Sequence, residues 1–194
     1  MKLYLLRHGT ASDVAPSDAE RKLTREGEEE AQIAGSALAE LGVKPSHVLS
    51  SPLVRARQTA EIAARAMKFR GEIELLDELT NGTPTQLLLR TLKPYSSEDG
   101  ILLVGHMPSL SEHLAALIGS KSPQGLPLGK ACVACVDLDE LRLGRGQLRW
   151  LLLQKQLRHI VERNAQCNDA LSFDPKNPEE NDDLKRLDDF KRLI

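Results

Sequence analysis

Two short apolar runs in this chain end in the same way. Met1–Leu6 leads into Arg7-His8-Gly9, and Gly100–Val104 leads into Gly105-His106. Unbroken apolar runs of this length suit strands covered on both faces. His47-Val48-Leu49 and Ile73–Leu76 predict two further strands, and Lys130–Asp137 and Gln147–Leu153 a pair joined through Gly144-Arg145-Gly146. Between them run helical stripes. Ala31, Ala34, Leu38 and Leu41 follow a Thr24 cap and precede Gly42. Ser51-Pro52 predicts a helix start directly after the second strand, with Ser51 as cap. Thr83-Pro84 opens a helix through Leu92, and Pro108 opens one carrying Leu110, Leu114, Leu117 and Ile118. Repeated strand–loop–helix units predict an α/β fold, a three-layer α/β/α sandwich with a largely parallel central sheet.

From Gln154 the pattern changes to an amphipathic helix around Leu157, Ile160 and Val161. An Asn/Asp/Pro-rich stretch and a charged segment with Leu184, Leu187, Phe190 and Leu193 follow. The expected organisation is one domain over residues 1–153 and a C-terminal helical, charged extension over 154–194.

Composition narrows the partners. With 28% charged residues and a formal net charge of -2, the chain lacks the basic field that nucleic-acid binding needs, so any anion site must be local. No apolar run approaches the roughly 20 residues of a membrane span, and the N-terminus reads as a strand rather than a signal peptide. The expectation is a cytoplasmic protein with no nucleic-acid and no membrane partner. Cys132-Val-Ala-Cys135 has C-x-x-C spacing, but in a strand residues three apart face opposite sides, and no second ligand pair for zinc follows. Cys132, Cys135 and Cys167 are expected to be structural, with no metal.

The strand ends carry the candidate chemistry. An α/β sheet of this kind gathers Arg7, His8, Arg55, Glu78 and His106 on one rim, where such sheets bind ligands. Gly9 permits a close approach that a side chain would block. Helix-start amides after Ser51-Pro52, with Arg55 one turn in, would make a phosphate-friendly corner; Arg57 reads as a solvated position. Guanidinium groups can clamp phosphate oxygens while one neutral imidazole attacks phosphorus and the other stabilises developing charge. Nearby arginines favour the neutral imidazole.

Arg7-His8-Gly9, Ser51-Pro52-Leu-Val-Arg55-Ala-Arg57-Gln-Thr59, Asp77-Glu78-Leu79 and Gly105-His106 resemble, in order, the motif series of the histidine phosphatase superfamily, with its phosphoglycerate-mutase-like fold. The short spacing and Arg21-Lys22-Leu23-Thr24 are most similar to the SixA branch, the phosphohistidine phosphatases. The resemblance covers residues 1–153. It implies His8 as the phosphorylated nucleophile, Arg7 and Arg55 as phosphate ligands, His106 as the second pocket histidine, and Arg21 as a further phosphate or substrate contact. Glu78 falls at the proton-donor position of many relatives. No cofactor is implied. The short segment between Glu78 and His106 leaves an open site, suited to a phosphohistidine on another protein, such as a histidine phosphotransfer domain in signal transduction.

Other readings stay open: a small-molecule phosphomonoesterase or mutase, a non-catalytic phosphate- or phosphoprotein-binding module, and a metal hydrolase using His106 with His113. His47 and His159 read as strand-entry and helix-surface positions, and Trp150 as packing.

Overall fold

The computed structural model describes residues 1–96 and 100–171. The strands are β1 (Lys2–Arg7), β2 (His47–Ser50), β3 (Ile73–Leu75), β4 (Gly100–Gly105), β5 (Val133–Leu138) and β6 (Gly146–Leu152). They form one sheet in the order β3-β2-β4-β1-β5-β6. β1, β2, β3 and β4 are mutually parallel where they pair, while β5 and β6 complete the sheet antiparallel. The helices are α1 (Arg25–Glu40), α2 (Val54–Ala66), α3 (Thr85–Thr91), α4 (Ser109–Ile118) and α5 (Gln154–Leu171). The architecture is the expected three-layer sandwich.

Strand alternation divides the core. Leu3, Leu5, Ile101 and Leu103 face a layer built from α3 and α4 through Leu88, Leu92, Leu110 and Leu114. Tyr4, Leu6, Leu102 and Val104 face α1 and α2 through Ala34, Leu38, Ala56 and Ala60. Cys132 lies in the first cluster and Cys135 in the second, so the two thiols are on opposite faces.

Local chemistry sets the helix ends. Thr24 caps α1 by accepting from Gly27 N at 3.1 Å, and Gly42 turns the chain away at φ +73°. α2 departs from expectation. It starts at Val54 with Leu53 as cap; ahead of the helix the Ser51 hydroxyl lies 2.8 Å from His106 Nε2 and accepts from Leu53 N–H at 3.4 Å. β5 likewise starts at Val133; Lys130 sits in a turn closed by Cys132 N–H donating to Gly129 O at 3.1 Å.

The segment from Gln154 begins inside the body. Leu157 is fully buried in the α1/α2 core, and the Gln154 amide donates to the Glu30 and Ala131 carbonyls at 3.0 Å each. The start of α5 is therefore part of the sandwich, and a boundary at residue 153 cuts through a packed layer. Leu184, Leu187, Phe190 and Leu193 lie outside the described residues. None of the described helices is long and apolar enough to cross a membrane.

Burial of Leu157 gives a direct test. Leu157→Ala should destabilise the full chain by about 2–5 kcal/mol, read as a lower denaturation midpoint. An unchanged midpoint would show α5 to be a peripheral appendage.

Candidate active site

The parallel register delivers the site. Arg7 pairs with Gly105 and Ser50 with Val104, so β1, β4 and β2 end side by side. His8, His106 and Ser51 are the next residues out. His8 N–H donates to Gly105 O at 3.0 Å and Ser51 N–H to Val104 O at 2.9 Å. Beyond them opens a cavity of about 670 Å³ whose wall includes Arg7, His8, Asp18, Arg21, Arg55 and His106.

His8 is the most tightly specified group. Its Nδ1 lies 2.7 Å from the Gly9 carbonyl, which can only accept, so Nδ1 carries the proton. Nε2 is then a lone pair, and Arg55 Nε–H donates to it at 3.3 Å. Burial, assisted by the charges of Arg55, Arg7 and Lys130, pushes the His8 pKa down to about 4, against the hydrogen bond to Gly9. His106 stacks obliquely on His8 with ring centroids 5.0 Å apart. Burial, then His8 and Arg55, holds its pKa down at about 3. Both rings are neutral near pH 7, leaving one unprotonated nitrogen on His8 as a nucleophile.

Gly9 works by steric necessity, and the close approach is made by a helix. A Cβ at Gly9 would stand 2.5 Å from Gly27 O, and one at Gly27 would stand 2.0 Å from Thr10 O. The first turn of α1 therefore presses on the backbone that carries His8. Thr59 ties α2 to the same point, accepting from Gly9 N–H at 3.1 Å while donating to Arg55 O at 2.7 Å. Glu30 Oε2 accepts from Thr10 N–H at 2.7 Å.

Arg55 is buried on the cavity wall, with its side chain 7% exposed. Its Nη1 donates to Asp18 O at 2.6 Å and its Nη2 to Asp18 Oδ2 at 3.0 Å. The hydrogen bond from Arg55 holds the Asp18 carboxyl below its usual range. Arg21 donates to Ser12 O at 2.7 Å and pairs with Asp13 at 2.5 Å and Asp18 at 3.3 Å. Arg7 Nη1 donates to Leu128 O at 3.0 Å, and its Nε is buried without a partner. An orphan N–H in a cationic wall is what an anionic oxygen satisfies. Four cations and two carboxylates line the cavity, a net charge of +2 that a phosphoryl dianion neutralises.

The structure thus brings Arg7, His8, Arg21, Arg55 and His106 together, and leaves Glu78 out. Asp77–Leu79 forms a single 3-10 turn in which Leu79 enters the core. Three residues per turn then send Glu78 elsewhere, and its carboxylate accepts from Thr91 Oγ1 at 2.8 Å. Asn81, just beyond, is the residue of that segment that reaches the wall. α2 supplies the Arg55 side chain, while its helix-start residues 51–54 do not line the cavity. His113 does not join His106 on the wall; it is buried in α4 with Nδ1 2.9 Å from Thr85 Oγ1. Arg57 pairs with Glu61 on the surface. Lys130 and Asn81 are the wall residues that residue type alone did not single out. Thr59, the last residue of the Ser51–Thr59 motif, lies four residues after Arg55 on the same helical face.

The chain is similar to known proteins over most of its length. The profile of the histidine phosphatase superfamily (branch 1) matches residues 3–83. Phosphohistidine phosphatase SixA of Escherichia coli is 30% identical over 152 residues, 77% of this chain and 92% of that protein. Among solved structures, protein histidine phosphatase SixA complexed with tungstate superposes with a TM-score of 0.75 at 29% identity, covering 81% of this chain and 99% of that one. A putative phosphohistidine phosphatase SixA from Agrobacterium tumefaciens gives 0.67 at 29% identity, with 78% and 97% covered.

The buried histidines set a pH dependence. His8, His106 and His113 have folded pKa values of about 4, 3 and 4, below the ordinary 6.5 of the unfolded chain. Below pH 6.5 the unfolded state binds protons that the folded state refuses. Their contribution to stability is complete above that pH and declines as pH falls toward 4. Urea titrations from pH 7 to 4 should show this loss, and His8→Asn should reduce it. Equal slopes in the two proteins would contradict the assignment.

Proposed function

The chain belongs to the histidine phosphatase superfamily, and from that membership and the cavity's geometry we propose that it removes phosphate from phosphohistidine on another protein. Arg55 Nε–H turns from His8 Nε2 to a phosphoryl oxygen, and the freed lone pair attacks phosphorus in line. The P–N bond to the substrate ring breaks with its electron pair going to that ring, which is protonated on its other nitrogen and leaves as neutral imidazole. Arg7 and Arg55 hold the non-bridging oxygens, with Arg21 at the rim, and His106 faces the charge that develops on them. Water then attacks the phosphoryl group on His8, the new P–N bond breaks, and orthophosphate leaves with His8 neutral again.

The observation that carries the choice of substrate is the state of the cavity's carboxylates. Asp13 and Asp18, the two on the wall, are both ion-paired to arginine, and Glu78 is turned toward Thr91. No wall carboxylate is placed as a neutral acid to protonate a departing alkoxide. A phosphoramidate needs less help, because an imidazole protonated on its other ring nitrogen departs as a neutral molecule, whereas an alkyl ester departs as a strongly basic alkoxide. The mouth also favours a protein substrate: among the described residues from 78 to 107, Asn81, His106 and Met107 line the cavity, while α3 and β4 lie away from it. A histidine phosphotransfer domain of a signalling relay is the kind of partner that presents such a group.

Two measurements test this. Phosphate release from a histidine-phosphorylated carrier domain should fall about 10³-fold or more in His8→Ala. Arg55→Ala should lose about 10²–10³-fold in kcat/KM. Across a series of phosphate esters, kcat/KM should drop steeply as the leaving group's pKa rises, with Glu78→Gln as active as wild type. Turnover of alkyl phosphates as fast as phosphohistidine would move the substrate to small molecules. Phosphate binding without turnover of any substrate would make the protein a binding module.

A further inference from the structure

Lys130 lines the catalytic cavity from a part of the chain that none of the motif residues occupy. The sheet order places it. Arg55 follows β2, His106 follows β4, His8 follows β1, and Lys130 lies in the turn that leads into β5. Since β2, β4, β1 and β5 are consecutive in the sheet, Arg55 and Lys130 flank the two histidines from opposite sides.

The turn that carries Lys130 is fastened to the catalytic residues. Ala131 N–H donates to His8 O at 3.3 Å, Arg7 N–H donates to Cys132 O at 3.2 Å, and Arg7 Nη1 donates to Leu128 O at 3.0 Å. Ala131 adopts φ +48°, a left-handed conformation that an alanine pays strain to hold. Such strain persists where surrounding bonds over-determine the backbone, and here they hold the base of Lys130 in register with His8.

Charge pairing separates Lys130, with Arg7, from the other two cations of the wall. Arg55 is paired with Asp18, and Arg21 with Asp13 and Asp18. Among the described residues no carboxylate pairs with Lys130, whose side chain is exposed on a flexible four-carbon stem. We propose that Lys130 is a further phosphate ligand, its ammonium closing on the phosphoryl group from the β5 side, opposite Arg55. It supplies one of the two net positive charges of the wall, so without it the cavity matches a monoanion rather than a dianion.

The proposal rests on this cavity receiving phosphate, and binding of inorganic phosphate tests it separately from turnover. Titration of the full chain at pH 8, followed by calorimetry, should give a Kd about 10-fold weaker for Lys130→Met. Lys130→Arg should restore most of that affinity, and the thermal midpoint should be the same in all three proteins. On a phosphohistidine substrate, Lys130→Met should raise KM more than it lowers kcat. A Kd unchanged in Lys130→Met overturns the proposal, as does equal weakening in Lys130→Met and Lys130→Arg. Loss of turnover in wild type with the Kd pattern intact would refute the phosphatase assignment and leave Lys130 as a phosphate ligand.

Discussion

The site depends on the fixing of one imidazole from both sides. The Gly9 carbonyl takes the Nδ1 proton of His8, and Arg55 directs its Nε–H at Nε2, so the ring has one tautomer and one orientation. Much of the surrounding structure serves that constraint. Gly27 allows α1 to lie against Gly9, and Thr59 links Gly9 to the backbone of Arg55. Asp18 holds the far end of the same guanidinium. Burial keeps the ring neutral, and cations around it reinforce the effect. A buried neutral histidine beside arginines is costly in acid; the same arrangement leaves its Nε2 unprotonated near neutrality.

The sheet supplies this precision through register. Parallel strands of matched length end together, so residues nearly a hundred apart in sequence emerge as neighbours. Arg7 opposite Gly105 places His8 against His106 without any long loop. Loops that add to the wall are tied back to the same strands: the segment before β5 hooks onto His8 and Arg7, and the segment after β1 pairs with the entry to α1 through Ala11 and Leu23. Cations arrive from β1, from α2 and from both loops, while two carboxylates keep the arginines in place.

Much of this was legible in the chain because apolar runs that end in polar residues mark strand ends, and strand ends of an α/β sheet converge. Arg7, His8, Arg55 and His106 follow from that rule, and so does the three-layer fold. Failures arose where a local conformation rotated one side chain. A 3-10 turn at Asp77–Leu79 commits Leu79 to the core and carries Glu78 away, a difference of one residue that strand-end reasoning does not resolve. Ser51 had two roles within reach, helix cap and histidine partner, and the fold starts α2 far enough on that its hydroxyl meets His106 and the Leu53 N–H ahead of the helix. Lys130 was hidden because an alanine in a left-handed conformation carries no sequence signal, whereas a glycine there would have marked the turn. Leu157 shows the opposite case: its helical period was plain, but its place beneath α1 depends on tertiary packing.

The central claim is that His8 Nε2 forms the bond to phosphorus, and it is tested most directly by trapping the intermediate. Full-length protein mixed with a phosphoryl donor, quenched in base within milliseconds and examined by phosphorus NMR and peptide mass spectrometry, should carry phosphate on His8, with the shift of an Nε2-linked phosphohistidine. Phosphate on Nδ1 of His8, on His106 or on no residue of the chain would contradict the account.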